Sequence, residues 1–226
     1  MKTILYLGLE VPDDLADSNV IHCPLITITP RSMQEPEIAQ MFTELSAFTH
    51  LIFTSKSAVT FFMDYAAARG LENTLKDKCI IAVGQKTSAK LHSYGITASH
   101  IANNETAEGV IEVLETLDLS HAYLLWPHSS LSRPLLIDWM TSQNIRYRDC
   151  ILYDTIPIRP APLPDLELCD EIVFTSSSTV DAFLEAYGRI PQNKKLTCIG
   201  PVTEKYLSSH IEMLLSTLTE RPHKSC

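Results

Sequence analysis

Hydroxyl side chains follow two short apolar runs in this sequence, where each run gives way to a helix-like segment. The segments Phe53–Ser55 and Phe174–Ser176 both read Phe-Thr-Ser. A serine in this place can cap the helix that follows. The free N–H groups and partial positive charge of a helix start also favour a carboxylate or a phosphate. The pattern therefore predicts two helix caps, each of which is also a candidate anion site.

Both segments belong to a longer internal repeat. The first copy continues to a Gly-x-x-Thr turn at Gly84–Thr87, and the second copy continues to one at Gly200–Thr203. Ligands of open α/β sheets bind outside the carboxyl ends of the strands, where these turns are expected. A duplication would copy structural caps as well as binding groups, so a purely structural role stays open.

The elements that must position these residues are short apolar runs alternating with helix-like segments. This alternation predicts an α/β fold with parallel sheets flanked by helices. The strand candidates are Ile4–Leu7, Leu25–Thr29, His50–Phe53, Cys79–Val83, His100–Ala102, Ala122–Trp126, Arg146–Tyr153, Glu171–Phe174 and Thr197–Ile199. The helix candidates are Ser57–Arg69, Ala107–Leu117, Thr179–Tyr187 and Thr203–Ser209.

Two proline-rich segments interrupt this alternation. Residues 157–164 contain four prolines, and prolines bracket the β-branched run at residues 25–29. Such segments suit extended crossings better than helices or central strands. We therefore predict two lobes joined by a two-stranded linker. The predicted first lobe is 1–24 plus 159–226, the second lobe is 32–150, and the linker strands are 25–31 and 151–158.

Composition excludes several classes of function. The net charge of -9 disfavours a nucleic-acid surface. The sequence has no GxGxxG motif, no P-loop, and no histidine or cysteine spacing typical of a metal site. No stretch approaches the roughly 18 apolar residues of a membrane span. We expect a cytoplasmic protein whose six cysteines are reduced, with no metal and no membrane or nucleic-acid partner.

Taken in order, these and neighbouring motifs resemble the uroporphyrinogen-III synthase family. The resemblance implies two α/β lobes with the active site in the cleft between them, and neither a metal nor an organic cofactor. It implies a cyclising lyase that converts hydroxymethylbilane to uroporphyrinogen III, inverting the terminal pyrrole and releasing water. The motifs that carry it are Leu51–Val59, Ala82–Thr87, Glu105–Val110, Leu152–Thr155, Phe174–Ser176 and Ile199–Thr203.

The resemblance also assigns roles to individual residues. Tyr153 matches the family tyrosine that assists departure of the substrate hydroxyl, although it could instead be a packed linker aromatic. Groups predicted to bind the substrate carboxylates are Ser55, Lys56, Thr87, Thr106, Ser176, Ser177 and Thr203. We further expect a monomer that receives hydroxymethylbilane by transient handover from hydroxymethylbilane synthase.

Two segments depart from the family pattern. Glu10 stands where the family often has an arginine after the first strand, and residues 126–129 replace a turn that commonly bears glycine and arginine. Within the second segment, we expect His128 to be a surface turn residue, with a ligand-facing donor as the alternative.

The same residues leave other functions open. The main alternative is a non-catalytic two-lobed binder of a small anion, for which the same hydroxyls would serve and Tyr153 would be dispensable. A flavodoxin-like cofactor binder would need a phosphate loop after the first strand, which residues 8–12 do not supply.

Overall fold

The structure is a computed structural model that describes residues 2–15 and 18–219, with side chains as far as Glu212. Cys226, one of the cysteines expected to be reduced, lies outside this part. The described cysteines are free thiols. The chain divides into two compact units, one made of Met1–Thr27 and Ile156–Cys226 as far as these are described, the other of Ile28–Thr155. The predicted linker strands 25–31 and 151–158 stay a prediction.

Ten strands and seven α-helices are formed by the described residues. The strands are β1 (Thr3–Tyr6), β2 (Asn19–His22), β3 (Ile26–Pro30), β4 (His50–Phe53), β5 (Cys79–Ala82), β6 (His100–Ile101), β7 (Tyr123–Ser129), β8 (Arg146–Pro157), β9 (Glu171–Phe174) and β10 (Lys195–Cys198). The helices are α1 (Pro36–Thr43), α2 (Lys56–Ala68), α3 (Gln85–His92), α4 (Ala107–Leu114), α5 (Leu135–Ser142), α6 (Ser177–Tyr187) and α7 (Pro201–Thr219).

The first unit contains a four-stranded parallel sheet in the order β10-β9-β1-β2. Successive side chains of a strand point to opposite faces. On one face Phe174 of β9 packs with Phe183 of α6 and Leu207 of α7. On the other face Tyr6 and Val173 pack against residues of the β1–β2 connection.

The second unit contains a six-stranded sheet in the order β3-β8-β7-β4-β5-β6. The pairs from β8 to β6 are parallel. Helices α1, α2 and α3 pack on one face, where Phe53 and Phe62 are fully buried. Helices α4 and α5 pack on the other face against Ile52, Leu124 and Trp126. The predicted α/β class with parallel sheets flanked by helices is therefore confirmed.

The edge strand β3 runs antiparallel to the second half of β8. Arg31 donates its N–H to the carbonyl of Leu152, and Ile158 donates its N–H to the carbonyl of Leu25. The partner numbers fall as the β3 numbers rise, which is the antiparallel direction. Strand β7 thus pairs with β8 as far as Tyr153, and β3 pairs with β8 from Leu152 onward.

Several elements differ from the sequence predictions. Strand β2 and helices α1, α3 and α5 were not among the candidates. Helix α3 lacks the apolar periodicity of an amphipathic helix because only Thr87 and Leu91 of its eight residues are buried. Strand β2 has no buried residue, so it lacks the apolar run by which the other strands were found.

Strand β7 also continues past the predicted end at Trp126 to Ser129. The turn expected at residues 126–129 is wrong, although Pro127 is unusual inside a strand. Pairing of β7 with β4 ends at Leu125, so Pro127 lies where β7 has a free edge on that side. A proline is tolerated at such an edge because no ladder hydrogen bond is lost.

A buried carboxylate stabilises the first sheet at the end where strand β9 begins. Glu171 of β9 is 5% exposed, accepts a hydrogen bond from Thr197, and forms ion pairs with Lys2 and, at 3.0 Å, with Lys195. Burial would raise the pKa of Glu171, but the hydrogen bonds from Lys2, Thr197 and Lys195 hold it well below 4.5, at about 2.

We expect Glu171→Gln to lower the free energy of unfolding by about 2 kcal/mol near neutral pH, because the amide loses the charge-assisted hydrogen bonds. The folded-state pKa lies below the unfolded value, so this contribution is complete above pH 4.5 and is lost as the pH falls towards 2. Urea unfolding at several pH values measures the difference.

The matched control is Glu167→Gln, because Glu167 has a side chain that is 79% exposed. It should change the free energy of unfolding by less than about 0.5 kcal/mol. A loss for Glu171→Gln that is as large at about pH 2.5 as at neutral pH would contradict the linkage argument.

Candidate active site

Parallel pairing brings the carboxyl ends of β4, β5 and β7 to one edge of the second sheet, beside the middle of β8. Ser55 follows β4 after one residue, Gly84 follows β5 after one residue, and Ser129 ends β7. Tyr153 lies beside Ser129 in the β7–β8 register. Residues that are far apart along the chain therefore meet at this edge.

Ser55 and Tyr153 are joined by a hydrogen bond at the centre of this edge. The Ser55 Oγ lies 2.9 Å from the Tyr153 Oη. The same Ser55 Oγ accepts a hydrogen bond of 3.0 Å from the backbone N–H of Ala58, because Ser55 is the N-cap of α2. Since the serine oxygen accepts from Ala58, its own hydrogen is available to the phenol oxygen.

The environment of Tyr153 keeps its phenol protonated. The residue is 6% exposed and its ring packs 5.5 Å, centroid to centroid, from that of Phe61. Burial raises the pKa of Tyr153, and hydrogen bonds with Ser55 and Ser129 oppose the rise without cancelling it. At neutral pH the side chain is therefore a neutral hydrogen-bond donor.

A β-bulge whose extra residue is Leu152 of β8 lies beside the site. The register between β7 and β8 shifts between His128 and Ser129, so Ser129 pairs with Tyr153. The Ser129 Oγ lies 3.3 Å from the Thr155 Oγ1 and accepts the N–H of Leu131 at 3.2 Å. The bulge thus places a third hydroxyl next to those of Ser55 and Tyr153.

His128 was expected at the surface, and this expectation is wrong. It is 5% exposed, and its ring stacks on Trp126 with centroids 4.0 Å apart and planes at 18°. Its Nε2 lies 3.3 Å from the Asp149 Oδ2, and its Nδ1 lies 2.8 Å from the Ser129 carbonyl oxygen. The alternation of Leu124, Trp126 and His128 is the strand pattern that would have predicted this burial.

Side chains of the protein accept hydrogen bonds from backbone N–H groups in the first turns of α3 and α4, the helices that follow β5 and β6. The backbone N–H of Gln85, at the start of α3, donates to the Glu105 Oε1 at 3.0 Å. Thr106 is the N-cap of α4 and accepts the N–H of Gly109 at 3.1 Å. A Cβ on Gly109 would lie 2.1 Å from the Asn104 carbonyl oxygen, so this turn requires glycine.

The second Phe-Thr-Ser copy caps its helix more completely than the first. Ser176 is the N-cap of α6, and the Thr179 Oγ1 accepts the backbone N–H groups of Thr175 and Ser176 at 3.1 and 3.2 Å. The Ser176 Oγ accepts the N–H of Thr179 at 3.3 Å and lies 2.8 Å from the Ser178 Oγ. The hydroxyls of this copy are therefore engaged with each other and with their own helix.

Ala58 occupies in the first copy the position that Thr179 has in the second. An alanine side chain cannot accept the N–H groups of Thr54 and Ser55. The N–H groups of a first helical turn have no partner within the helix. The two copies thus differ in one acceptor, the Thr179 hydroxyl, which has no counterpart at Ala58.

The remaining predicted binding residues are placed as follows. Lys56 is the exposed first residue of α2, and Ser177 is the half-buried first residue of α6. Thr87 and Thr203 are buried in the first turns of α3 and α7, each 4% exposed. Gly200, which precedes α7, has a φ of +89°, a conformation that favours glycine. The predicted carboxylate-binding roles of these four residues stay predictions.

Two arginines of the second unit form two-pronged pairs with carboxylates. Arg133 pairs with Glu108 at 2.9 Å for both bonds. Arg31 forms a similar pair with Asp154 at 2.9 and 3.0 Å. The Arg133 hydrogen bond holds the pKa of Glu108 at about 2, and the Arg31 hydrogen bond lowers that of Asp154.

Within residues 2–15 and 18–219, no group of three or more histidine, cysteine, aspartate or glutamate side chains is arranged to hold a metal ion. None of the described helices is long and apolar enough to cross a membrane.

Known proteins share both the sequence pattern and the fold. A family model described as uroporphyrinogen-III synthase HemD matches residues 16–211. A relative from Methanothermobacter thermautotrophicus, provisionally named a uroporphyrinogen-III synthase, is 25% identical over 176 residues. That match covers 71% of this chain and 68% of the relative.

Two crystal structures have a similar fold. Uroporphyrinogen-III synthetase from Helicobacter pylori is 17% identical with a TM-score of 0.65, over 96% of this chain and 100% of that chain. A mutant uroporphyrinogen III synthase from Thermus thermophilus is 16% identical with a TM-score of 0.62, over 98% of this chain and 100% of that chain. At these identities the two structures support the fold alone.

Proposed function

The chain belongs to the uroporphyrinogen-III synthase family, and we propose that it closes hydroxymethylbilane to uroporphyrinogen III with the hydroxyl cluster of the second unit. The observation that carries the proposal is the 2.9 Å hydrogen bond between Ser55 and Tyr153. It joins the signature segment of the first repeat to the tyrosine that sequence analysis assigned to catalysis. The alternative, a non-catalytic binder of small anions, has no feature that favours it.

Tyr153 acts as the donor to the departing hydroxyl of the bilane. The backbone N–H of Ala58 donates to Ser55. In the proposed arrangement Ser55 is the donor to the Tyr153 oxygen, which lies 2.9 Å away. The phenol hydrogen is then directed away from Ser55 and towards the substrate. When the C–O bond breaks, the leaving hydroxide takes that proton and departs as water, which leaves the bilane as an azafulvenium cation and Tyr153 as a phenolate. The proton that the pyrrole releases after ring closure restores the phenol.

The fold of the substrate decides which product forms. The azafulvene forms readily, and unaided closure gives the isomer in which the last pyrrole is not inverted. The enzyme therefore has to hold the bilane so that the substituted carbon is attacked and the spiro intermediate forms. Backbone N–H groups at the start of α2 suit this task, because they bind carboxylates in fixed directions.

The proposed chemistry is that of a cyclising lyase that uses no cofactor, because positioning of the bilane and one proton donor are sufficient. Because the bilane closes unaided, we propose that this protein receives it directly from hydroxymethylbilane synthase. We also propose that this protein acts as a monomer in the cytoplasm.

The test of the reaction is a coupled assay with hydroxymethylbilane generated in situ. The oxidised uroporphyrins are separated by isomer, with and without this protein. We expect type III to dominate when the protein is present. Type I alone, in the presence of folded protein, would exclude the proposed function and leave the anion binder to be tested by calorimetry.

Tyr153→Phe should lower the rate of type III formation on the order of 100-fold, because the proton donor is lost. The ring still packs on Phe61, so the free energy of unfolding should change by only about 1 kcal/mol. Tyr94→Phe is the matched control, since Tyr94 donates to the exposed Asp64 at 3.1 Å. Equal rates for the two variants would remove Tyr153 from the mechanism.

Ala58→Thr should raise KM about fivefold with kcat nearly unchanged. The new hydroxyl would accept the N–H groups of Thr54 and Ser55, as Thr179 does in the second copy, and would compete with a substrate carboxylate. Ala58→Val is the control, because valine has the shape of threonine without its hydroxyl. If both variants raise KM equally, these N–H groups do not bind the substrate.

A further inference from the structure

An open cavity of about 480 Å³ lies in the second unit at the amino ends of β7 and β8. Its walls come from the last turns of α4 and α5 and from the residues that lead into the two strands. Its volume falls in the range of small-molecule sites, about 300–1,000 Å³. Neither Ser55 nor Tyr153 lines it, so a ligand bound here would occupy a place separate from the hydroxyl cluster.

Much of the cavity wall is apolar and only partly covered by the protein. The half-buried apolar side chains that line it are Leu117, Leu119, Trp139 and Ile145. Apolar surface that the fold leaves partly in water gains free energy when a ligand covers it. An aromatic ring packs well on an indole, so Trp139 favours a ligand that carries such a ring.

A positive charge with a fixed direction lines the same cavity. The Cζ of the exposed Arg146 lies 3.9 Å from the centroid of the Tyr123 ring, which in turn packs 4.3 Å from that of Phe48. This stack holds the guanidinium by its face and leaves the N–H groups at its edge. Within the part of the chain that the structure describes, Arg146 forms no ion pair, so these N–H groups can bind a carboxylate.

A negative charge also lines the cavity, in a place where a helix disfavours it. Glu115 is the C-cap of α4, and the C-terminal end of a helix carries a partial negative charge. Helices α4 and α5 both end at the cavity, and neither has a basic residue in its last turn. Among the described side chains, none forms an ion pair with Glu115. An ammonium group in the cavity would supply the missing positive charge.

We propose that this cavity binds a zwitterionic α-amino acid with an aromatic side chain. Arg146 takes the carboxylate, Glu115 takes the ammonium group, and the ring packs against Trp139. A ligand with an anionic group alone would meet Glu115 and two helix C-termini, and a ligand with a cationic group alone would meet Arg146. The two unpaired charges therefore select a ligand that carries both signs. The proposal does not depend on the proposed function.

The test is a titration of the full chain with L-phenylalanine, followed by calorimetry and by tryptophan fluorescence. We expect saturable binding with a Kd of about 1 mM or tighter. The chain has two tryptophans, and Trp126 is buried outside the cavity, so the change in fluorescence should come from Trp139. Trp139→Phe should abolish that change, whereas calorimetry should still detect binding, because one aromatic ring replaces another.

Variants and analogues identify the two charged contacts. Arg146→Gln and Glu115→Gln should each raise the Kd for L-phenylalanine about tenfold, because each removes a charge-assisted hydrogen bond. The analogue 3-phenylpropanoate, which lacks the ammonium group, should bind about tenfold more weakly, and Glu115→Gln should not weaken it further. Glu112→Gln and Arg189→Gln, at exposed positions outside the cavity, are the matched controls and should leave the Kd unchanged.

Three results would overturn the proposal. The first is the absence of saturable binding up to about 20 mM L-phenylalanine. The second is equal affinity for L-phenylalanine and 3-phenylpropanoate, since the site would then not recognise the ammonium group. The third is an unchanged Kd in both Arg146→Gln and Glu115→Gln, which would place the binding elsewhere. None of these results bears on type III formation, and type I as the product would leave this test standing.

Discussion

Parallel pairing places the carboxyl ends of β4 and β7 beside the middle of β8, and the site depends on this constraint. Ser55 and Tyr153 are 98 residues apart in sequence, yet their oxygens lie 2.9 Å apart. The bulge before Ser129 sets the final register between β7 and β8. A slip of one residue would direct Tyr153 to the opposite face of the sheet and break its bond to Ser55.

The two Phe-Thr-Ser copies of the internal repeat make different hydrogen bonds at the starts of their helices. In the second copy, Thr179 satisfies the N–H groups of Thr175 and Ser176, so that copy stabilises its own helix. In the first copy, Ala58 makes no such bond, and Ser55 both caps α2 and contacts Tyr153. The two copies thus differ at one position, which is threonine in the second copy and alanine in the first.

Local signals predicted much of this arrangement. Apolar runs located most strands, and the hydroxyls after two of them predicted the caps at Ser55 and Ser176, because capping is a property of a few adjacent residues. His128 and its contact with Asp149 were missed, since Pro127 favoured a turn and the contact depends on the register of two strands. The hydrogen bond from Gln85, at the start of α3, to Glu105 was also missed, because the two residues lie on different connections between strands.

Charge pairing within the chain reduces the number of arginines that are available to a polyanionic substrate. The net charge is -9, which slows the approach of an anionic substrate at low salt. Arg31, Arg133 and Arg148 each form an ion pair with a carboxylate of the chain. Helix N–H groups attract carboxylates without adding net charge, and they are fixed by the backbone. For a reaction whose outcome depends on how the substrate is folded, fixed direction is the more valuable property.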